Sequence, residues 1–409
     1  MEIMNRLPLE GMRVIEMGQI VAGPAAGLIL GDLGADVIKV EPPGAGGPTR
    51  PGNQRNGSFF FLNRNKRAIV LDLHSPEGHK IAMKLIGGAD VLIENMAPGT
   101  MDRLGLGFAK LHADFPRLVY CSIKGYLSGP YQSRPLMDEP GQMAAGLAFM
   151  TGPPGQPLRA GASVVDIGAA SFALIAVMSA LLEREKTGVG QHVTGGLFET
   201  ALFYVGQHMA ASQLTGKPPQ PMTVQRGEVR PAIYDLFTCR DGRQVFIGIV
   251  SDGQWKRVCS VLELEDLAED PRYRHNPGRL ENRALLMERI GQACAKRDSR
   301  DVVEMIVSAD VIGAPLNTPM TVLDDPHVQA EGRTLKLKIG DHDGRLPPLP
   351  IETNTFDFGV RYSAPKDAGI HTRGVLSELG YAADEIEALA RAGIVSGPDL
   401  PAKSGGGSR

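Results

Sequence analysis

The alternation of strand-like and helical segments in the first third of the chain is the feature that most restricts its fold. Short apolar runs typical of buried strands cover residues 12–17, 36–41, 67–73, 90–95 and 118–125. Helical segments separate them, and one of these opens with Ser75 as N-cap, Pro76 at the first helical position and Glu77 after it. This pattern predicts a mostly parallel sheet with helices on both faces, and such sheets bind ligands at the carboxyl ends of their strands.

The composition changes in a proline-rich segment, residues 217–231, which has little hydrophobic periodicity and predicts a domain boundary. Beyond it, two β-rich runs flank Asp241 and Gly242, which is a strong hairpin signal. Helical segments follow around Trp255 and over residues 281–296. Together these elements predict a second, smaller α+β domain.

Charge and cysteine content exclude several classes of protein. The 409 residues carry a net charge of −3, so no nucleic-acid or anionic-membrane partner is predicted, because both need a dominant basic face. The N-terminal residues contain no secretory signal, and a cytoplasmic location is expected. A metal site and a disulfide framework are disfavoured because the cysteines form no CxxC pair and no cluster with histidine; they are Cys121, Cys239, Cys259 and Cys294.

A single acid precedes a long apolar segment in "LRAGASVVDIGAASF", residues 158–172. The apolar run from Ile167 to Leu182, closed by "EREKTG" with Gly188, predicts one helix with Asp166 as its N-cap. Two interpretations of Asp166 stay open at this point. The local sequence favours a carboxylate that caps backbone N–H groups, and the alternative is a nucleophile held at a helix N-terminus. Because the ordinary pKa of aspartate is near 3.9, we expect Asp166 to be ionised at pH 7.

The helix after Asp166 is apolar on nearly every side, which predicts a buried core or interface position. Its apolar run is shorter than the roughly 20 residues that a bilayer span needs, so no membrane partner is predicted.

The first βα turn carries Gly18, Gly23 and Gly27, a spacing that differs from GxGxxG and disfavours a nicotinamide enzyme. Gly23 and Pro24 precede a helix of small residues, which leaves backbone donors available for a phosphate or a carbonyl oxygen. A tight turn without a ligand explains the same residues equally well.

Basic side chains stand near three of the predicted strands. Arg64, Lys66 and Arg67 precede one strand, and Arg103 lies in the helix after another. These side chains are suited to phosphate binding, although such charge runs are more often solvated faces. Lys124 ends a strand, where an α/β sheet displays functional groups. The chain has no GxSxG motif and no paired Cys/His signature, which leaves no competing serine or cysteine nucleophile.

The segments described so far resemble one protein family in a single register, from about residue 7 to residue 395. The matching stretches include "LEGMRVIEMGQIVAGPAAGLILGDLGADVIKVEPPG", "NRNKRAIVLDL", "DVLIENMAPGTMDRLGL", "PRLVYCSIKGY" and "DIGAASFALIAVMSALLEREKTGVGQHV". They resemble the class III coenzyme A (CoA) transferases, a family also named after CaiB and BaiF.

The resemblance implies an α/β fold with a Rossmann-like large domain, a mostly parallel sheet and a smaller α+β domain, in a homodimer of interlocked chains. The corresponding domain assignment is a large CoA-binding domain of residues 1–216 and 333–400, a linker at 217–224, a small domain at 225–330 and a flexible tail at 401–409.

The resemblance also implies the site. In the family, the aspartate at the position of Asp166 is the nucleophile and forms mixed-anhydride and CoA-thioester intermediates. Carry-over onto matching positions predicts contacts to CoA from Val21, Ala22, Leu71, His74, Asn95, Met96, Ala97 and Arg103. Substrate contacts are predicted for Lys124, Met137 and Asp138. Acyl-CoA and a small carboxylic acid are therefore the expected substrates, with no permanently bound cofactor and no metal.

Two departures from the family pattern bear on the substrate. Many transferases have "RPGYD" where this chain has "RPLMD", so Leu136 and Met137 reshape the acyl pocket. Family racemases have a histidine at the position of Met137, and because methionine cannot transfer a proton, a racemase or epimerase is the disfavoured alternative. The oxalate branch has a loop of consecutive glycines that is absent from "QPMTVQRGEVRPAIYDLF", which favours a larger dicarboxylic or branched acid. A non-catalytic CoA-binding protein is the third alternative.

Overall fold

The computed structural model describes residues 6–44, 57–221 and 231–404. Contacts divide the chain into two compact units, residues 1–223 with 330–409, and residues 224–329. The predicted linker at 217–224 runs into residues 222–230, which lie outside the described part.

The N-terminal part of the larger unit alternates strands and helices. Its strands are β1 (Arg13–Met17), β2 (Asp36–Glu41), β3 (Lys66–Leu71), β4 (Val91–Glu94), β5 (Val119–Lys124) and β6 (His192–Gly196). Its helices are α1 (Ala22–Asp32), α2 (Gly57–Leu62), α3 (Pro76–Gly87), α4 (Thr100–Arg103), α5 (Phe108–Asp114), α6 (Asp138–Ala144), α7 (Leu147–Thr151), α8 (Val164–Thr187), α9 (Leu197–Tyr204) and α10 (Gly206–Thr215). The five predicted strands are confirmed, as is the start of α3, where Ser75 Oγ accepts a hydrogen bond from Gly78 N.

The smaller unit contains the antiparallel sheet β7 (Tyr234–Thr238), β8 (Gln244–Gly248) and β9 (Ile312–Pro315), in that order. Its helices are α11 (Asp252–Val261), α12 (Glu265–Glu269), α13 (Asn276–Glu281), α14 (Arg283–Cys294), α15 (Ser299–Ser308) and α16 (Pro326–Gln329). The predicted hairpin is confirmed: β7 pairs with β8, and Gly242 in the turn has a φ of 76°, which favours glycine. Trp255 is buried in the core of this unit.

The chain then returns to the larger unit with β10 (Leu335–Ile339), β11 (His342–Leu346), α17 (Thr372–Glu378), α18 (Ala383–Arg391) and β12 (Val395–Ser396). Of the predicted tail, residues 405–409 lie outside the described part. Ser404 N donates a hydrogen bond to Arg391 O at 2.8 Å, so the chain is bound to α18 as far as Ser404.

The central sheet has the order β12-β3-β2-β1-β4-β5-β6. The strands β1 to β6 pair in parallel, and the edge strand β12 pairs antiparallel with β3, which confirms the mostly parallel α/β sheet. Because β1 pairs with both β2 and β4, the strand order reverses beside it. In sheets of this kind, that reversal opens a crevice at the carboxyl ends of the strands.

Successive residues of the parallel strands face opposite sides of the sheet, and both sides are buried. One core cluster, which includes residues of α1 and α8, contains Val14, Val37, Val91 and Val119. The cluster on the other face, beneath α3, α17 and α18, contains their neighbours Ile15, Ile38, Leu92 and Tyr120. Burial on both faces is the reason that these strands are apolar along their length.

Helix α8 corrects two predictions. It begins at Val164 with Ser163 as N-cap, so Asp166 lies in its first turn and is not the N-cap. The helix is also longer than its apolar run, because its first turn and its charged last turn extend it to 24 residues, about 36 Å. By length and composition it is able to cross a bilayer, although half of its apolar stretch is buried against the rest of the chain, as in a core helix.

Candidate active site

A cavity of about 220 Å³, here called the first cavity, lies at the carboxyl ends of β1, β4 and β5. Its walls come from the turn between β1 and α1, the loop after β4, the end of β5 and the segment before α6. The cavity therefore occupies the crevice beside the reversal of strand order. It brings together eight of the predicted site residues, namely Val21, Ala22, Asn95, Met96, Ala97, Lys124, Met137 and Asp166.

A second cavity of about 920 Å³ shares Ile20, Val21, Met137 and Asp166 with the first. The remaining lining residues are Asp138, Glu139, Pro140, Met143, Ala144, Arg159 and Ser163. Asp166 is thus accessible from both cavities.

The predicted substrate residue Asp138 caps helix α8. Its Oδ2 accepts hydrogen bonds from Val165 N at 2.8 Å and Asp166 N at 3.0 Å, and its Oδ1 accepts from Gln142 Nε2 at 2.6 Å. Gln142 Oε1 in turn accepts from Ala160 N at 2.8 Å. Asp138 therefore performs the capping role that the sequence assigned to Asp166. The Asp166 carboxylate is left without a donor among the described residues.

The pKa of Asp166 departs strongly from that of a free aspartate. Burial in the first turn of α8 and, to a smaller extent, the negative charge of Asp138 raise the pKa of Asp166 to about 7. This differs from the prediction that Asp166 stays mostly ionised at pH 7. Protonated Asp166 is therefore populated near neutral pH, because desolvation favours the neutral form.

The turn between β1 and α1 is held by side chains from neighbouring strands. Asn95 Oδ1 accepts from Gln19 N at 2.7 Å while Asn95 Nδ2 donates to Gln19 O at 2.9 Å. Lys39 Nζ donates to Gly18 O at 2.8 Å. Ile20 has a φ of 63°, a left-handed conformation that is strained for a β-branched residue. These contacts fix the strained turn where it lines both cavities.

Residues 18 and 23 of this turn are glycines because their backbones approach each other closely. A Cβ atom on Gly23 would lie 2.7 Å from Gly18 Cα and 2.9 Å from Asn95 Oδ1. A larger residue at position 23 would therefore displace the Asn95 contact that holds the turn.

The basic cluster at the start of β3 is neither a phosphate site nor a solvated face, so both interpretations were wrong. Arg64 is buried and pairs with Asp32 at 2.7 Å, and the fully buried Lys66 pairs with Glu16 at 2.6 Å. Arg67, the most exposed of the three, pairs with Asp36 at 2.6 Å. The acidic partners lie on α1, β1 and β2. These ion pairs hold the three basic side chains against the sheet and α1 and away from a ligand.

Lys124, which is predicted to contact the substrate, lines the first cavity, and its charge is paired. Its Nζ lies 2.7 Å from Glu94 Oε2 and donates to Met96 O at 2.8 Å. Glu94 also accepts from Met96 N at 2.9 Å, so the pair holds the loop after β4. Glu94 was not among the predicted site residues, although a glutamate that ends an apolar strand is a readable signal.

Three predicted CoA contacts lie outside the first cavity. Leu71 has its side chain buried in the core cluster beneath α3. His74 is exposed, with its backbone N–H donating to Asp72 Oδ1 at 3.0 Å. Arg103 is exposed and donates from Nη2 to Thr100 Oγ1 at 2.8 Å. Asp138 lines the second cavity only.

Within the described residues, no three His, Cys, Asp or Glu side chains are grouped so that they could hold a metal ion.

Comparison with known proteins identifies the family that has this architecture. A family model described as CoA-transferase family III matches residues 9–372. The chain belongs to CoA-transferase family III. This confirms the resemblance seen in the sequence and makes the chain an enzyme that transfers CoA.

This family III CoA-transferase is 33% identical over 390 residues to the succinate–glutarate CoA-transferase of Agrobacterium fabrum, across 91% of this chain and 96% of that protein. It is 32% identical to the succinyl-CoA–D-citramalate CoA-transferase of Chloroflexus aurantiacus, across 93% and 96% of the two chains. The crystal structure of a CaiB/BaiF family protein from Brucella suis matches with a TM-score of 0.82 at 32% identity, over 91% of this chain and 99% of that one.

Proposed function

We propose that this enzyme moves CoA from an acyl-CoA to a carboxylic acid through covalent intermediates on Asp166. The observation that carries the proposal is the position of Asp166, whose carboxylate is released from helix capping by Asp138 and is accessible from two cavities. A nucleophile that exchanges one acid for another needs access to both reactants and needs to be free of competing hydrogen bonds.

The reaction proceeds in two mirrored halves. The Asp166 carboxylate attacks the donor thioester carbonyl, which forms a mixed anhydride and releases the CoA thiolate. The thiolate then attacks the aspartyl carbonyl, so that the donor acid leaves and an aspartyl-CoA thioester remains. The acceptor carboxylate attacks this thioester to give a second anhydride, and the thiolate takes the new acyl group and restores Asp166. Each attack creates an anion and expels one, so no external base is needed.

We assign the thioester end of the acyl-CoA to the first cavity and the carboxylic acid to the second. The backbone of the β1–α1 turn and the loop after β4 line the first cavity, to which the ion pair of Lys124 with Glu94 also contributes. Arg103 lies next to that loop, since a Cβ atom on Gly99 would be 3.2 Å from its Nη1. A role for Arg103 in binding CoA phosphates therefore stays a prediction. The thioether of Met137 lines both cavities and carries no exchangeable proton, which supports a transferase over a racemase.

The experiment that tests the covalent route follows heavy oxygen from the acceptor acid to the Asp166 carboxylate. With the acceptor acid labelled by heavy oxygen in its carboxylate, the bridging oxygen of the second anhydride stays on the enzyme. We expect the peptide that contains Asp166 to gain the mass of one heavy oxygen after a single turnover, measured by mass spectrometry. The unlabelled acid is the control. Product formation without label in this peptide would contradict the route.

The pH dependence follows from the raised pKa of Asp166. Only the ionised carboxylate attacks, so we expect kcat/KM for the acyl-CoA donor to rise with pH through about 7 and then to level off. Asp138→Asn removes the neighbouring negative charge and keeps an oxygen for the two backbone donors. We expect this variant to shift the acidic limb of the profile to lower pH, because the pKa of Asp166 falls.

Glu183→Gln is the matched control for this shift. Glu183 is exposed on the same helix, about 25 Å from Asp166 along the helix axis. Steady-state measurements of kcat/KM for the acyl-CoA donor, from about pH 5 to about pH 9, give the position of the acidic limb of the pH profile. If the acidic limb shifts equally in Asp138→Asn and Glu183→Gln, or shifts in neither, the charge of Asp138 does not raise the pKa of Asp166.

We further propose that two copies of the chain associate, as the family resemblance implies. The support is an apolar surface on α8 and α9, where Ile175, Leu182 and Phe203 are 62%, 69% and 71% exposed. Light scattering measures the mass in solution, and a monomer at micromolar concentration would contradict this proposal.

A further inference from the structure

The second cavity has a charge distribution that bears on the identity of the acid. Its wall is largely apolar, with the flexible thioethers of Met137 and Met143 among the lining residues. Arg159 is the one cationic side chain among the described residues that line it. Three carboxylates, those of Asp138, Glu139 and Asp166, line it as well.

Two of these carboxylates are already engaged when the acceptor acid arrives. Asp138 is already engaged by three hydrogen bonds, from Gln142 and from two backbone N–H groups of α8. Asp166 is neutral as the aspartyl-CoA thioester, which is the form that meets the acceptor in the proposed reaction. The ion pair between Glu139 and Arg159 is therefore the place where this cavity offers a cation to the acceptor.

That ion pair leaves Arg159 able to bind a ligand. Its Nε lies 3.3 Å from Glu139 Oε2, and the two side chains are 44% and 60% exposed. Its Nη1 donates to Ala160 O at 3.3 Å. A guanidinium carries five N–H donors, and these two long contacts engage two of them. Exposed ion pairs of this kind are weak, so a carboxylate that binds bidentately is able to replace Glu139.

We propose that Arg159 is the specificity-determining residue for the acid and that the acid is a dicarboxylate. One carboxylate reacts at Asp166, and the other replaces Glu139 on the Arg159 guanidinium. This inference rests on the proposed function, in which the acid occupies the second cavity.

A dicarboxylate matches this cavity better than a monocarboxylate. Arg159 pairs with Glu139 and not with Asp166, and both the cation and the nucleophile line this cavity together with apolar side chains. An acid with a carboxylate at each end of an aliphatic chain is able to contact both, whereas a monocarboxylate leaves Arg159 unused. The names of two relatives contain acids of this class, glutarate and D-citramalate.

The test compares glutarate with pentanoate, a monocarboxylate of the same chain length, as acceptors from one acyl-CoA donor. We expect Arg159→Gln to lower kcat/KM for glutarate by about 30- to 100-fold, because a charged bidentate contact is lost. For pentanoate we expect a change of less than about 3-fold. Arg159→Lys keeps a point charge and is expected to recover part of the glutarate rate.

Glu139→Gln is expected to act in the opposite direction, because it removes the competitor for the guanidinium. We expect it to lower KM for glutarate by about 2- to 5-fold and to leave KM for pentanoate unchanged. Arg391→Gln is the matched control, since Arg391 is an exposed arginine with one acidic partner, Glu387, on α18.

The outcomes separate this inference from the proposed function. Equal losses for both acids in Arg159→Gln, or no loss for either, would overturn the role of Arg159. A wild-type enzyme that transfers CoA to pentanoate faster than to glutarate, with heavy oxygen entering Asp166, would overturn the dicarboxylate and leave the covalent route intact. Transfer without heavy oxygen in Asp166 would overturn the proposed function, and this inference with it.

Discussion

Replacement of Asp166 by Ala or Asn is expected to lower the rate of CoA transfer by about 10⁴-fold or more. Neither side chain can form the mixed anhydride or the thioester through which the acyl group passes. The measurement is exchange of labelled acid into acyl-CoA, followed by mass spectrometry. CoA binding, measured by calorimetry, is expected to persist, because the first cavity is formed by backbone and by other side chains.

A stability measurement serves as the control for Asp166→Asn. Because the pKa of Asp166 is raised in the folded state, the folded protein binds the proton more tightly than the unfolded chain. Stability therefore falls as the pH rises from about 4 to about 7. Asn stays neutral, so we expect this variant to be more stable than the wild type at pH 8, by roughly 2 kcal/mol after allowance for partial exposure, and equally stable below about pH 4. A folded variant that retains transfer would refute the nucleophile.

Glu16→Gln is expected to produce the largest loss of stability. Glu16 is fully buried and lies 2.6 Å from both Lys39 Nζ and Lys66 Nζ. The two ammonium groups keep the pKa of Glu16 below its ordinary value even though burial opposes this. Without the carboxylate, two cations face each other in the core, and we expect a loss of about 3–5 kcal/mol in the free energy of unfolding. Urea denaturation measures this loss.

The control for this prediction is Glu387→Gln, which breaks an exposed ion pair with Arg391 and is expected to cost at most about 1 kcal/mol. Adding Lys66→Met to Glu16→Gln removes one stranded cation, and we expect it to recover part of the loss. A change below about 1 kcal/mol in Glu16→Gln would show that the lysines neutralise themselves instead. Burial already lowers the pKa of Lys66 to about 8.

The buried lysines that pair with Glu16 also contact the candidate active site. Lys39 Nζ donates to Gly18 O at 2.8 Å, and Lys66 Nζ donates to Pro24 O at 2.7 Å. Both acceptors belong to the β1–α1 segment that lines the first cavity. The two buried lysines therefore hold this segment by hydrogen bonds, as Asn95 does.

Several features of this protein were determined by the sequence alone. Apolar strands separated by helices predicted the parallel sheet, Ser75 and Pro76 predicted the start of α3, and Asp241 with Gly242 predicted the hairpin of the smaller unit. Periodicity, capping and turn preference act between residues that are close in the chain, so they can be read without tertiary contacts. The order of the motifs over the whole chain also identified the family.

Only the tertiary structure decided the electrostatics. Asp138, 28 residues before Asp166, caps α8 and helps to raise the pKa of Asp166 to about 7. Arg64 and Lys66, which suggested a phosphate site, are buried against Asp32 and Glu16. The reason is that desolvation and charge pairing depend on which groups pack together across long stretches of chain, and a local sequence pattern does not contain that information.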